Sequence, residues 1–469
     1  MAKFQVGLVG TGVMGQSLAL NIARHGYSVL VYNRDASKAR TFVETRVTTE
    51  RLSAAEHLQD FVDGLETPRR IVLMVNAGKA VDDVIGSLLP LLAKGDCIVD
   101  GGNSFYRDTK RRADTVHAAG MAYIGLGVSG GEEGALKGPS MMPGGDSDAY
   151  AALEPIFTSI AAHVNGEPCC SYVGPDGAGH YVKMVHNGIE YGIMQLICEV
   201  YDLLRKRYGL SAPAIGSIFD RWNAGEMNSY LMEVTGHVLR TVDDQTSKPL
   251  VDRILDTAEQ KGTGKWTSED ALDLGVPIPT INAAVEMRML SGLRDQRQKT
   301  STVLTGPGGV VTTPGDQELE SLRLALRTSV LLAYAQGMAL LSAASAEYGF
   351  NLKLDKVAAL WRGGCIIRAT ALQSIMDAYV RDPSLHNLIL DPEYAAVLNG
   401  GEAALRRVVG SAVESGVPVM ALGASLSYFD SYRAHSLPAN LLQAQRDFFG
   451  AHTFKRIDQD GVFHSTWPV

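Results

Sequence analysis

Gly10-Thr11-Gly12-Val13-Met14-Gly15, directly after the apolar run Phe4-Gln5-Val6-Gly7-Leu8-Val9, constrains this chain more than anything else in its 469 residues. A G-x-G-x-x-G carries information only between a strand and a helix. Here the run before it reads as a strand and residues 16–25 read as a helix. In that setting Gly10 permits the tight turn, Gly12 lets the backbone approach a pyrophosphate, and Gly15 lets helix and strand pack closely. The phosphates then rest on the positive end of the helix. Gly10, Thr11, Gly12, Val13, Met14 and Gly15 therefore form a dinucleotide site. Strand-like runs at 28–32, 70–75, 97–100 and 121–124, separated by helical patterns, extend it into a doubly wound parallel sheet of the Rossmann type.

The end of the second strand decides which dinucleotide fits. Sites for NAD or FAD usually place Asp or Glu there, about 20 residues after the glycines, to hold the ribose hydroxyls. This chain has Asn33-Arg34-Asp35 after Val29-Leu30-Val31-Tyr32. A carboxylate at position 33 would repel a 2′-phosphate, whereas Asn33 both accepts and donates hydrogen bonds. Arg34 offers a fork of donors matched to a phosphate and a flat face for an adenine; as a solvated side chain it would pair with Asp35 instead. The combination favours NADP over NAD and disfavours a flavin.

The strand–helix alternation fades at Val173-Gly174-Pro175-Asp176-Gly177, a Gly/Pro linker. This predicts an α/β domain over 1–177, an all-helical domain over 178–434 and a tail over 435–469. A Gly/Pro/Thr loop at 305–315 divides the helical part. Tyr208-Gly209 with Trp222, and Tyr348-Gly349 with Trp361 about 140 residues on, suggest an internal duplication resting on two short matches. The tail reads either as a segment docking on a neighbouring subunit or as a frayed terminus. Residues 328–346 carry no formal charge, yet Gln336, Gly337 and several serines make them a core helix rather than a membrane span.

Composition narrows the partners. With 46% apolar and 20% charged residues the chain is ordinary globular protein, and a net charge of −8 gives no overall attraction for nucleic acid or an anionic membrane. Basic groups that hold an anionic ligand must be gathered locally. Cys97, Cys169, Cys170, Cys198 and Cys365 are odd in number and lack C-x-x-C spacing, so they read as reduced thiols rather than a disulfide frame or zinc site. The first residues lack a basic region followed by an apolar run. The expectation is a cytoplasmic protein that uses no metal.

Lys183, His186, Asn187, Glu190 and Tyr191 fall at i, i+3, i+4, i+7 and i+8, on one face of a helix. Polar stripes are usually solvated faces. The intervening Met184, Val185, Gly188, Ile189, Gly192, Ile193 and Met194 are apolar or small, however, so this stripe reads as a closed polar seam. It holds a base (Lys183), an acid (Glu190) and two hydrogen-bonding orienters (His186, Asn187). A lysine acts as a base near neutrality only if burial or nearby positive charge lowers its pKa, and His186 lies one turn away. Two donor-rich loops, Val128-Ser129-Gly130-Gly131 and Asp100-Gly101-Gly102-Asn103-Ser104, follow strands where doubly wound folds bind ligands. In Gln260-Lys261-Gly262-Thr263-Gly264-Lys265-Trp266-Thr267, Lys261, Thr263 and Lys265 supply donors for an anion; a plain Gly-rich turn fits the spacing equally well.

Together these segments resemble the 6-phosphogluconate dehydrogenase family of decarboxylating enzymes, within the β-hydroxyacid dehydrogenases, over essentially the whole chain. The resemblance rests on Gly10 to Gln16, Gly138-Pro139-Ser140-Met141-Met142-Pro143-Gly144-Gly145, the run from Lys183 to Tyr191 and the run from Gln260 to Thr267. It continues through Trp361-Arg362-Gly363-Gly364-Cys365-Ile366-Ile367-Arg368 and Gln443-Ala444-Gln445-Arg446-Asp447-Phe448-Phe449-Gly450-Ala451-His452. It implies a homodimer in the pentose phosphate pathway whose tail reaches the partner's site, with NADP as cofactor and 6-phosphogluconate as substrate. It makes Lys183 the general base and Glu190 the general acid. Asn103, Ser129, Gly130, Gly131, His186 and Asn187 would hold the sugar acid. Tyr191, Lys261, Thr263 and Arg288 would hold its phosphate, joined by Arg446 and His452 from the other subunit. Val75, Asn76, Ala77 and Asn103 would line the cofactor beside the glycine loop, Asn33 and Arg34.

One position departs from the family pattern. Val75-Asn76-Ala77-Gly78 stands where Val-Lys-Ala-Gly is expected, and the missing cation bears on cofactor binding. A dehydrogenase of small unphosphorylated hydroxyacids would share the glycines, the Ser-Gly-Gly loop and the lysine. It would not need Lys261, Arg288, Arg446 or a second helical half. A dinucleotide-binding protein without catalysis would show erosion of the polar seam, which is intact.

Overall fold

The computed structural model describes residues 3–307 and 312–467. Of the 305–315 loop, residues 308–311 lie outside the described residues, as do Met1 and Ala2 of the chain start. Seven strands form one sheet: β1 Val6–Val9, β2 Val29–Tyr32, β3 Leu52–Ala54, β4 Arg70–Leu73, β5 Cys97–Asp100, β6 Ala122–Ser129 and β7 Ser140–Gly145. Their order is β3-β2-β1-β4-β5-β6-β7, parallel throughout except for the antiparallel β6–β7 pair. β1 and β5 are buried at every position, as expected of strands covered by helices on both faces. The order reverses between β1 and β4, so the glycine loop after β1 sits at the switch point where such sheets bind ligands.

The strand read at 121–124 in fact runs to Ser129, and β3 and β7 were not foreseen. Gly125 and Gly127 in β6 and Pro143-Gly144-Gly145 in β7 look like turn residues, and their smallness has a packing cause. A Cβ at Gly127 would lie 2.6 Å from the Lys183 Cβ, and one at Gly144 2.4 Å from the Gly179 backbone N. The glycines let the 29-residue helix Ala178–Lys206, the central helix, lie directly on β6 and β7. Lys183 is carried to the sheet by that contact.

Beyond the sheet and a short antiparallel pair at 163–168, the described chain is mainly helical. The central helix packs on Asp316–Glu347, which in turn packs on Pro392–Ser415. Asp316–Glu347 is long and apolar enough to cross a membrane, yet 83% of its most apolar window is buried by the rest of the protein, as a core helix requires.

A buried carboxylate joins the two parts. Asp270 accepts hydrogen bonds from Tyr106 (2.5 Å), Tyr181 (2.5 Å), Tyr348 (2.9 Å) and Arg107 (3.3 Å). Tyr106 and Arg107 begin the helix that follows the Asn103 loop, whereas Asp270 lies on helix Thr263–Asp273. Burial and the neighbouring Asp270 hold the Tyr106 hydroxyl in its neutral, donating form. The described part of the tail, residues 435–467, carries a helix and its own buried contacts. Its helix Ala439–Gly450 buries Asp447, which accepts from Thr453, His464, Ser465 and Trp467, while Leu441, Leu442, Phe448 and Phe449 stay exposed.

Candidate active site

The glycine loop has the shape a dinucleotide needs. Gly10 has φ +104°, and a Cβ there would strike the Met74 carbonyl at 2.4 Å; one at Gly15 would strike the Gly10 carbonyl at 2.0 Å. Gly12 faces open space, and as N-cap of helix Val13–Arg24 it gives no side-chain cap, so the first N–H groups are available to an anion. Thr11 Oγ1 is buried without a protein partner. The Thr11 N–H donates to Asn33 Oδ1 at 3.3 Å and Asn33 Nδ2 donates to the Asp35 carbonyl at 3.0 Å, which fixes the amide at the cleft edge. Val13 is exposed and Met14 half-buried beside it.

Arg34 is exposed and does not pair with Asp35, whose carboxylate instead caps the next helix through Ser37. Among the described residues its guanidinium has no ion pair, which suits a 2′-phosphate. Val75, Asn76 and Ala77 follow β4, with Asn76 and Ala77 exposed, and Asn103 is exposed in the loop after β5. All the expected cofactor residues thus gather at the carboxyl ends of β1, β2, β4 and β5, and the cradle fits a dinucleotide.

The seam on the central helix is closed, as its apolar flanks predicted. Lys183, His186, Asn187 and Tyr191 are buried and Glu190 is half-buried. His186 Nδ1 donates to Asn187 Oδ1 at 3.1 Å, which leaves Nε2 to accept the Ser129 hydroxyl at 3.3 Å. Lys183 Nζ lies 3.5 Å and Glu190 Oε2 3.8 Å from the same His186 Nδ1. Asn187 Nδ2 donates to Thr263 Oγ1 at 3.1 Å, so the seam reaches the Gly-rich segment. That segment is not all loop: Gly262, at φ +97°, turns directly into helix Thr263–Asp273. Gly264 packs against the Tyr191 ring, and the Arg288 guanidinium lies over it at 3.4 Å. Lys261 is exposed alongside.

Burial pushes the Lys183 ammonium below its usual range, and the Glu190 carboxylate pulls it partly back. Burial pushes the Glu190 carboxyl up, against the pull of Lys183 and Arg288. The sequence allowed for a positive His186 helping to depress Lys183. The structure corrects this, since burial and the Lys183 charge hold His186 well below its usual range and neutral. Two titratable groups pushed toward their neutral forms, with a neutral imidazole between them, suit acid–base chemistry.

Gly130 (φ +116°) and Gly131 (φ +63°) turn the chain out of β6 beside Ser129. A Cβ at Gly130 would strike the Gly364 carbonyl at 2.5 Å. Trp361 stands edge-on to His186 at 5.7 Å, and the buried Cys365 donates to its carbonyl; no polar pattern in the sequence singled out either for the site. Arg446 and His452 are not brought in within one chain. Both are exposed on the tail, Arg446 bonded to Gln443 and His452 against Phe449.

A doubly wound nucleotide sheet, joined through β6 to a buried Lys–His–Asn–Glu seam on a helical domain, defines a dinucleotide-dependent dehydrogenase. Comparison with known proteins narrows the class. Residues 5–174 match the profile described as the NAD binding domain of 6-phosphogluconate dehydrogenase, and residues 179–467 match its C-terminal domain. The chain is 52% identical over 468 residues to the NADP(+)-dependent, decarboxylating 6-phosphogluconate dehydrogenase of Bacillus subtilis, with all of both chains covered. It is 50% identical over 468 residues to the decarboxylating enzyme of Escherichia coli, again over both full lengths. The Plasmodium falciparum 6-phosphogluconate dehydrogenase structure, described in apo form and with NADP+ or 6-phosphogluconate, superposes with a TM-score of 0.95. It is 39% identical, with 99% of this chain and 100% of that one covered. The chain belongs to the 6-phosphogluconate dehydrogenase family.

Proposed function

We propose that this chain catalyses the NADP-dependent oxidative decarboxylation of 6-phosphogluconate to ribulose 5-phosphate and CO2. The observation that carries the reading is the seam geometry: buried Lys183 and half-buried Glu190 lie 3.5 and 3.8 Å from the same His186 Nδ1, each pushed toward its neutral form. Gly10, Thr11, Gly12, Val13, Met14, Gly15, Asn33, Arg34, Val75, Asn76, Ala77 and Asn103 hold the cofactor. Bound NADP supplies the acceptor for the hydride that leaves C3. Neutral Lys183 takes the proton of the 3-hydroxyl as that hydride departs. The resulting β-keto acid loses CO2 because its new carbonyl accepts the electron pair. Lys183, now protonated, donates a hydrogen bond to that oxygen and stabilises the charge developing there. Glu190, whose carboxyl burial pushes up, delivers a proton to the enediol carbon.

Asn103, Ser129, Gly130, Gly131, His186 and Asn187 orient the sugar acid. Tyr191, Lys261, Thr263 and Arg288 hold the phosphate together with Arg446 and His452 of the partner subunit in a homodimer. The exposed apolar side chains of the tail helix support that docking. We further divide the chain into 1–177, 178–434 and 435–469, and place the enzyme in the cytoplasmic pentose phosphate pathway, where its five free cysteines stay reduced.

The test is the near-ultraviolet absorbance of reduced nicotinamide with purified protein and 6-phosphogluconate, with NADP or NAD, in EDTA. NADP reduction with equal CO2 release is expected; no reduction with either cofactor would overturn the reading and point to an unphosphorylated hydroxyacid. Arg34→Ala is expected to raise KM for NADP by about tenfold or more, the worth of a charge-assisted phosphate contact, and to leave KM for NAD unchanged. An equal rise for both cofactors would remove Arg34 from the 2′-phosphate.

A further inference from the structure

Arg112, in the middle of helix Tyr106–Ala118, is 2% exposed. Its guanidinium makes four hydrogen bonds and also an ion-pair contact with Asp100. Nε donates to Asp82 Oδ1 at 2.8 Å, and Nη2 to Asp82 Oδ2 at 3.2 Å and the Gly78 carbonyl at 2.9 Å. Nη1 donates to Ser104 Oγ at 3.1 Å and faces Asp100 Oδ2 at 3.5 Å. One guanidinium therefore grips the end of the 75–78 loop with one edge and the 100–104 loop with the other.

The second loop is tied further. Asp100 accepts the Gly102 N–H at 3.0 Å, the Ser104 hydroxyl at 2.6 Å and the Tyr123 hydroxyl at 3.1 Å. Its carbonyl accepts His180 Nε2–H at 3.0 Å, and His180 Nδ1 lies 2.7 Å from Thr109 Oγ1. His180 is buried, neutral and one turn before Lys183 on the central helix. The loops also touch each other, since a Cβ at Gly102 would lie 3.1 Å from the Val75 carbonyl and one at Gly101 2.6 Å from Met74 Sδ. The chain of contacts thus runs from the 75–78 loop through Arg112, Ser104 and Asp100 to His180 and the helix that carries the base.

We propose that Arg112 is a positioning residue that sets the spacing of the 75–78 and 100–104 loops, and through it the alignment of the nicotinamide half of the cofactor with Lys183. This rests on the placement of Val75, Asn76, Ala77 and Asn103 at the cofactor given above. Arg112 is buried behind the loops and reaches them through Gly78 and Ser104, so it acts without touching either ligand. A lysine cannot replace it, because a single ammonium cannot serve both loops and a carboxylate at once. The contacts follow β4 and β5, on the far side of β1 from Asn33 and Arg34 at the end of β2, so Arg112 acts away from the proposed 2′-phosphate site and equally on NADP and NAD.

The experiment compares Arg112→Lys, Ser104→Ala and Asn103→Ala in the full-length enzyme. Kd values for NADP, NAD and 6-phosphogluconate are measured separately by calorimetry, with kcat and Tm alongside. Arg112→Lys is expected to weaken NADP and NAD by the same factor, about tenfold, and to lower kcat by about tenfold or more through misalignment, while 6-phosphogluconate Kd rises by a clearly smaller factor, about threefold or less, because Asn103 alone among its proposed holders lies on the displaced loops. Ser104→Ala, which removes only the grip on the second loop, is expected to weaken both cofactors about threefold, and it decides the matter if Arg112→Lys does not fold. Cofactor affinities at the parent value in both variants would overturn the proposal. So would equal weakening of 6-phosphogluconate, which would mark Arg112 as a general support of the fold. If Asn103→Ala leaves both cofactors bound as tightly as in the parent, the loop does not hold the cofactor, and the underlying reading fails in a way separate from Arg112.

Discussion

Replacing Lys183 with Met is expected to lower kcat by about 10³-fold or more, while KM for 6-phosphogluconate changes by no more than about threefold. The side chain lies in a slot closed by β6, where the Cβ position of Gly127 is within 2.6 Å of its own Cβ, and Met fills the same unbranched volume. In the proposed site the substrate phosphate is held by other residues, so binding is expected to survive while proton removal is not. Stability provides a second readout. Burial lowers the folded-state pKa of Lys183 below the 10.5 of a free lysine, so between those two values the unfolded chain binds more protons than the native one. The contribution of Lys183 to stability therefore rises with pH across that window and is least favourable below it, where the native state must bury the charge. Met removes that cost, and Tm at neutral pH is expected to equal or exceed that of the parent. In the parent, turnover is expected to rise with pH as Lys183 loses its proton and to fall as Glu190 loses its own; the apparent pKa values belong to the coupled pair. A Lys183→Met enzyme with turnover within tenfold of the parent would remove Lys183 from the role of base.

The seam was legible because helical spacing and apolar flanks are local, and the structure closes it as that pattern required. The glycine loop was legible for the same reason, since strand, turn and helix follow one another within the first 25 residues. Sequence was silent where the decisive contact is distant. Gly127 in β6 and Gly144 in β7 are small because the central helix lies against them, and read alone such residues look like a turn. The neighbouring Arg111 and Arg112 look equivalent in a charged helix, yet one side chain is 54% exposed and the other 2%. Nothing in a charged run says which arginine faces inward. Asp270 is equally opaque, because its three tyrosines come from positions 106, 181 and 348. The Thr263 contact to Asn187 shows the middle case: spacing allowed either an anion loop or a plain turn. The geometry places the threonine on the seam at the start of a helix.

If Arg446 holds the phosphate as proposed, Arg446→Ala alone is expected to raise KM for 6-phosphogluconate by about 10²-fold with a much smaller effect on kcat, because that phosphate is remote from C3 and its contacts serve positioning. The sharper experiment mixes that variant with Lys183→Met. Within one chain Arg446 is exposed and bonded to Gln443 on the same tail helix, away from the seam. If the tail acts on the partner, a hybrid dimer brings the intact Arg446 of the Lys183→Met subunit to the intact Lys183 of the other, and one of its two sites is whole. Random reassortment after dissociation makes half the dimers hybrid, so activity at low substrate is expected to recover to about a quarter of the parent value, from two nearly inactive preparations. If each tail served its own chain, every site in every dimer would lack one of the two residues, and mixing would restore nothing. The exposed Leu441, Leu442, Phe448 and Phe449 mark the surface that must be buried for the first outcome. Charged substitutions there, such as Phe449→Glu, are expected to abolish the recovery while leaving Lys183 and Glu190 in place, because the tail would no longer dock. Recovery without any dependence on those four side chains would mean that the tail reaches its neighbour by another surface.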